Sequence, residues 1–130
     1  MADLRYNAKN NHKKERSAFA SAIIATTATM SDTLFTLPQN SLVTGVYAII
    51  ETASGTATDT VDVKVGSTVV ANEVVVGVLG VATGTVAKTF FPTGGSVTVV
   101  AGADAPDTAG RIRIVVEYIE VELSEGTLTD

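Results

Sequence analysis

The sequence predicts an all-β domain: an antiparallel β-sandwich, jelly-roll-like, of about eight strands, with an extended N-terminal arm. Three observations predict it. Val, Thr, Ala and Gly dominate, and only 5% of residues are aromatic; β-branched side chains suit a pleated surface and are mediocre in helices. Short apolar runs recur at close intervals between Gly, Pro and Asn turns, which is the spacing of a sandwich or barrel. Between them no run of ten or more residues reads as a helix, so the crossovers that parallel strands need are missing. The 130 residues suffice for one domain with a real core. The expected division is an arm over residues 1–30 and a sandwich over 31–130.

The arm opens with "YNAKNNHKKER", polar and without apolar period. Arg5, Lys9, Lys13, Lys14 and Arg16 stand against Asp3 and Glu15, a balance of +3. The remaining four cations and twelve acids leave the rest of the chain at −8. An acidic body argues against a nucleic-acid groove, which needs Lys and Arg to neutralise phosphates. Three roles are open to the arm itself: nucleic-acid binding, attachment to an acidic protein surface, or a disordered tail. "SAFASAIIATTATM", residues 17–30, fits a short helix through Phe19 and Ile23 or a strand through Ala18, Ala20, Ala22 and Ile24; the following threonines favour an extended chain. A secretory signal is the alternative for this start, but its apolar part is short, broken by Ser and preceded by Glu15. No run approaches the roughly 20 apolar residues of a membrane span, so no membrane partner is expected.

In the body, Thr33, Phe35 and Leu37 alternate until Pro38 removes an amide donor. "PQNS" is turn chemistry. Residues 42–52 are apolar on both faces, Val46, Ala48 and Ile50 on one and Tyr47 and Ile49 on the other, which suits a central strand or one covered by a partner. After the loop "ASGTATD", Val61, Val63 and Val65 alternate with Asp62 and Lys64. Gly66-Ser67 then forms a two-residue hairpin turn, and residues 68–71 return as its partner strand. Residues 73–91 carry only Glu73 and Lys88 as charges and are punctuated by Gly77, Gly80 and Gly84, so short strands and turns are expected, ending at Phe90-Phe91. "SVTVVAG" is a further strand and "ADAPDTAG" a surface loop.

The chain closes on "GRIRIVVEYIEVELSEG", residues 110–126, whose apolar phase changes midway. Ile112, Ile114, Val116 and Tyr118 share one parity, then Ile119, Val121 and Leu123 the other. Two explanations fit: a β-bulge near Tyr118 and Ile119, or a strand that crosses between sheets at a sandwich corner.

Motifs for chemistry are missing. There is no cysteine, hence no disulfide frame or thiolate site. His12 is the single histidine and lies in the charged arm, without the orienting partner a general base needs. "VGVLGVATGTV" has the glycines of a phosphate loop but neither its Lys-Ser/Thr nor a following helix. Asp59, Asp62, Asp104 and Asp107 lack calcium-loop spacing and read as solvated acids. Glu117 and Glu120 have opposite strand parity, and there is no Trp to seat a sugar. No enzyme, metal or cofactor is expected. Surface adhesion remains, through the cationic arm and through the weakly charged 74–100 stretch, whose apolar area could be buried between copies. Val74, Val76, Val78, Ile119 and Val121 are the expected oligomer contacts.

Leu37-Pro38, Val43-Thr44-Gly45-Val46, Val63-Lys64-Val65-Gly66 and the Gly-Arg-led strand over 110–118 form a pattern. Over about residues 33–121 the chain resembles small virion structural proteins of tailed bacteriophages. The resemblance implies a sandwich that decorates or cements a capsid from outside, commonly as a homotrimer, with the major capsid protein as its partner and the virion surface as its location. No catalytic residue comes with it. The basic arm departs from the pattern, yet Arg5, Lys9, Lys13, Lys14 and Arg16 suit attachment to capsid subunits. The alternative is a head-fibre or tail-associated module that recognises a host ligand, with Tyr47, Tyr118 and the loop 104–107 as its only candidates.

Overall fold

The computed structural model describes residues 17–106 and 110–121. Within them lie ten strands and no helix: β1 Ser17–Ala25, β2 Ser31–Leu37, β3 Ser41–Thr52, β4 Thr60–Val65, β5 Thr68–Val75, β6 Gly80–Ala82, β7 Thr85–Val86, β8 Thr89–Phe91, β9 Gly95–Ala101 and β10 Arg111–Glu120. They form two five-stranded antiparallel sheets. Sheet A runs β1-β10-β3-β6, with β8 also paired to β3; sheet B runs β2-β9-β4-β5-β7. β1 to β4 fall in alternate sheets, β5 returns as a hairpin beside β4, and β9 and β10 again lie in opposite sheets, an order compatible with a jelly roll. The expected all-β sandwich is therefore the fold, and the count exceeds eight because residues 80–91 break into three short strands.

The segment 17–25, grouped by sequence with the arm, is hydrogen-bonded along its length to β10. Its period of two turns Ala22 and Ile24 inward and leaves Ser21, Ile23 and Ala25 exposed. Thr26 then ties the crossover to sheet B: its amide donates to Gly110 O (3.1 Å), and its hydroxyl accepts from Gly110 N (2.7 Å). Pro38 ends β2, as its missing donor requires.

The inner faces of the sheets share one core. Val43, Val46, Ala48 and Ile50 of β3 and Ile112, Ile114 and Val116 of β10 meet Val61, Val63, Val65, Val97 and Val99 of sheet B. Each Val or Ile side chain among them contributes about 1.5–3 kcal/mol on burial. At the β4–β5 hairpin Gly66 takes φ 60°, the left-handed conformation that the turn needs.

Two of the departures from regular pairing shape the surfaces that follow. β5 runs on to Val75 because it carries two irregularities. Val70 is an extra residue between the pairs Val63–Ala71 and Lys64–Val69, and Asn72 and Glu73 together oppose Asp62. Glu73 sits at φ 54° and turns its amide onto Asp62 Oδ1 at 2.8 Å. The resets let Val70, Ala71 and Val74 all reach the core.

The second departure concerns the closing strand. β10 is regular against β1, and its buried phase holds through Val116, with Tyr118 packed on the core. The bulge expected near Tyr118 lies on the partner strand: between the pairs Glu117–Gly45 and Tyr118–Val43, the extra residue is Thr44 of β3. Its hydroxyl donates to Glu117 O at 3.2 Å, which closes the gap in the ladder. The strand stays in sheet A rather than crossing to sheet B. Residues 122–126 of the expected strand lie outside the described residues.

Candidate functional site

Two surfaces expose apolar side chains in an organised way. The first is a ridge after β5. Val78 and Leu79 are 55% and 66% exposed, at the tip of the turn that leads into β6. The base of this turn is fastened to the loop 53–59. Ser54 N donates to Val76 O (3.2 Å) and Val76 N to Asp59 O (2.9 Å). Gly77 passes so close to that loop that a Cβ there would lie 1.9 Å from Thr56 O. Only glycine allows this approach.

Asp59 organises the loop itself. Its side chain is buried and takes the Ser54 hydroxyl at 2.7 Å and the Thr56 amide at 3.0 Å, both on Oδ2. The expectation of a solvated acid is corrected here: "ASGTATD" is a turn built around its own carboxylate, because Ser and a loop amide supply the donors that burial demands. Asp62 is likewise occupied by the Glu73 amide. Asp104 is exposed, and Asp107 lies outside the described residues.

The second surface is the outer face of sheet A. Register places Ile23, Arg113, Ile49 and Val81 in one row across β1, β10, β3 and β6. The next row holds Ser21, Val115 and Tyr47, and a further row Ile119, Leu42 and Phe90. Val81 is 71% exposed and Ile23, Ile49 and Phe90 are each more than one-third exposed. The outer face of sheet B is more polar, with Thr33, Thr36, Ser96, Thr98, Asp62 and Lys64 on it, and exposes Val69 and Val75 on β5. Sheet A thus turns the more apolar of the two faces outward, with its exposed side chains in adjoining rows, the kind of patch that marks contact surfaces.

Few charges interrupt the dry face. Arg113 donates to Ser21 Oγ at 3.2 Å, and Glu117 Oε1 accepts from the Thr44 hydroxyl at 3.3 Å. At its border Arg111 pairs with Glu51 at 3.1 Å, in solvent, worth about 0–1 kcal/mol. Among the described residues no three His, Asp or Glu side chains gather as a metal site.

The expected contact residues divide. Val74 and Val76 are fully buried in the protomer's own core, because the resets in β5 turn them inward; they are corrected from oligomer contacts to core residues. Val78 is exposed, and Ile119 and Val121 are half-buried. Arg5, Lys9, Lys13, Lys14, Arg16 and His12 lie outside the described residues. Sequence reasoning missed Leu79, Val81 and Ile23 as surface residues. The signal was the absence of polar alternation in residues 78–81 for Leu79 and Val81, and the adjacent Ile23-Ile24 pair in β1, of which one must face outward, for Ile23.

No family model matches the chain, and no curated protein matches it. Solved structures do. One is a chain of the cyanophage Pam1 capsid asymmetric unit, 19% identical, with 82% of this chain and 86% of that chain covered at a TM-score of 0.56. Another comes from the acidic stable capsid structure of Helicobacter pylori bacteriophage KHP30, 19% identical, covering 79% and 86% at a TM-score of 0.52. The resemblance carried by residues 33–121 thus has its counterpart at the level of fold, in chains from two phage capsids.

Proposed function

We propose that this chain is a structural protein of a phage virion that binds the outer surface of the capsid as a decoration or cement protein. The observation that carries the reading is the fold, shared with chains of two phage capsids over about four-fifths of the sequence. The chemistry of the surface supports it. Val78 and Leu79 stand on a turn braced by Gly77 and the Asp59 loop, so burying them against a subunit orders little new chain.

The basic arm adds a second attachment. Gly80 pairs with Ile50, close to the Arg111 end of β10, while Ser17 pairs with Ile119 at the other end. Ridge and arm root are thus at opposite ends of sheet A. Sixteen residues span at most about 55 Å, longer than the sheet, so Arg5, Lys9, Lys13, Lys14 and Arg16 can reach an acidic patch well away from the ridge. Val74 and Val76, which the protomer encloses, are not available to a contact between copies, the homotrimer that the resemblance implies included.

Co-sedimentation with undecorated capsids tests the proposal. The full chain pellets with the particles. Leu79→Asp weakens binding at least tenfold, since it removes the burial of a Leu, about 1.5–3 kcal/mol, and adds a charge. Deleting residues 1–16 removes most of the salt dependence. A full chain that stays in the supernatant at every salt concentration overturns the proposal.

A further inference from the structure

The dry face of sheet A has a symmetry that the ridge lacks. Along β10 its outward residues are Arg111, Arg113, Val115, Glu117 and Ile119. Positive charge lies on one side of Val115 and negative charge on the other, in an otherwise apolar strip. Arg113 and Glu117 are four residues apart, about 13 Å along the strand, so they do not pair within one molecule. Each rests on a hydroxyl instead, Ser21 and Thr44.

We propose that this face binds the same face of a second copy, as a two-fold pair. An axis across the strands at Val115 lays the two β10 strands antiparallel, one over the other. Residues equidistant from Val115 then meet: Arg113 stands over Glu117 of the second copy, twice, Val115 over Val115, and Arg111 over Ile119 at the border, where Arg111 keeps Glu51 of its own chain as partner. An isologous contact needs this self-complementarity. Packed sheets stand about 10 Å apart, a gap that an Arg and a Glu reaching toward each other close. The pairing supplies each charge with the opposite partner it requires once water is excluded.

Area agrees with a second copy as the occupant. At about 4.8 Å between strands and about 3.3 Å per residue, β1, β10, β3 and the short β6 and β8 together cover roughly 600 Å² per copy. The total, about 1,200 Å², lies at the lower end of specific interfaces. Ile23, Ile49 and Val81 supply the apolar content. The outer face of sheet B, with Thr33, Thr98, Asp62 and Lys64 outward, carries its exposed apolar side chains, Val69 and Val75, on β5 alone.

Sedimentation equilibrium on the full chain, away from any capsid, tests the pair separately from the capsid reading. The wild type forms a dimer at micromolar concentration, and Ile49→Asp is a monomer. Arg113→Glu and Glu117→Arg each weaken dimerisation about tenfold or more. The double variant Arg113→Glu/Glu117→Arg restores it, because the swapped charges meet across the axis. All three positions lie on the outer face of sheet A, and thermal unfolding of each of the four variants confirms that it is folded. A monomeric or trimeric wild type, or a double variant no tighter than the single ones, overturns the proposal.

Discussion

Replacing Asp59 by Ala removes one carboxylate from the loop that braces the ridge. Oδ2 accepts two hydrogen bonds, from the buried Ser54 hydroxyl at 2.7 Å and the Thr56 amide at 3.0 Å. A hydrogen bond to a charged group contributes about 1.5–3 kcal/mol, so the two together amount to about 3–6 kcal/mol. Residues 55–58 are exposed, and water entering there recovers part of the loss. The net cost is about 3 kcal/mol. Urea unfolding followed by far-ultraviolet circular dichroism reads it: with a slope near 2 kcal/mol per molar, the midpoint falls by about 1.5 M. Asp104→Ala, an exposed acid in a neighbouring loop, stays within about 0.5 kcal/mol of the wild type. Ser54→Ala combined with Asp59→Ala costs less than the sum of the two, because they share one bond. An Asp59→Ala midpoint equal to that of Asp104→Ala refutes the buried carboxylate and, with it, the bracing of the ridge.

Other substitutions probe the backbone. Gly77→Val places a Cβ 1.9 Å from Thr56 O, a backbone atom that cannot swing aside; a loss of at least about 2 kcal/mol is expected in the same unfolding assay, from strain of the kind found in overpacked sites. Glu73→Gly, at φ 54°, is neutral or stabilising by up to about 1 kcal/mol, whereas Glu73→Val lowers the melting temperature in calorimetry, since a β-branched residue is poorly tolerated there.

The parts of this fold that a sequence reader can see are those where one face is wet. Val61, Val63 and Val65 against Asp62 and Lys64 announce β4, and Gly66-Ser67 announces its turn. β3 was legible as a central strand because apolar side chains lie on both its faces. What stayed hidden depends on a neighbour's register. The phase change after Tyr118 reads as a kink in β10, yet the extra residue is Thr44, seventy-odd positions away in sequence. Val74 and Val76 look like spare surface until the resets at Val70 and Glu73 turn them inward. Asp59 looks like any loop acid, since its donors Ser54 and Thr56 are themselves ordinary loop residues. The contact surfaces were half visible: a missing alternation shows that a second face is dry, but cross-strand rows decide which residues assemble on it.

The reading of an adhesive rather than reactive molecule comes down to where it sits. Electron cryo-microscopy of capsids incubated with the full chain, then with Leu79→Asp, is the most direct measurement. The account predicts a two-sheet body on the outer shell, with the end that carries Val78 and Leu79 turned toward the capsid subunits, and bare shells with the variant. Shells left bare by the folded wild-type chain, or bodies bound with that end facing solvent and undisturbed by Leu79→Asp, would contradict it.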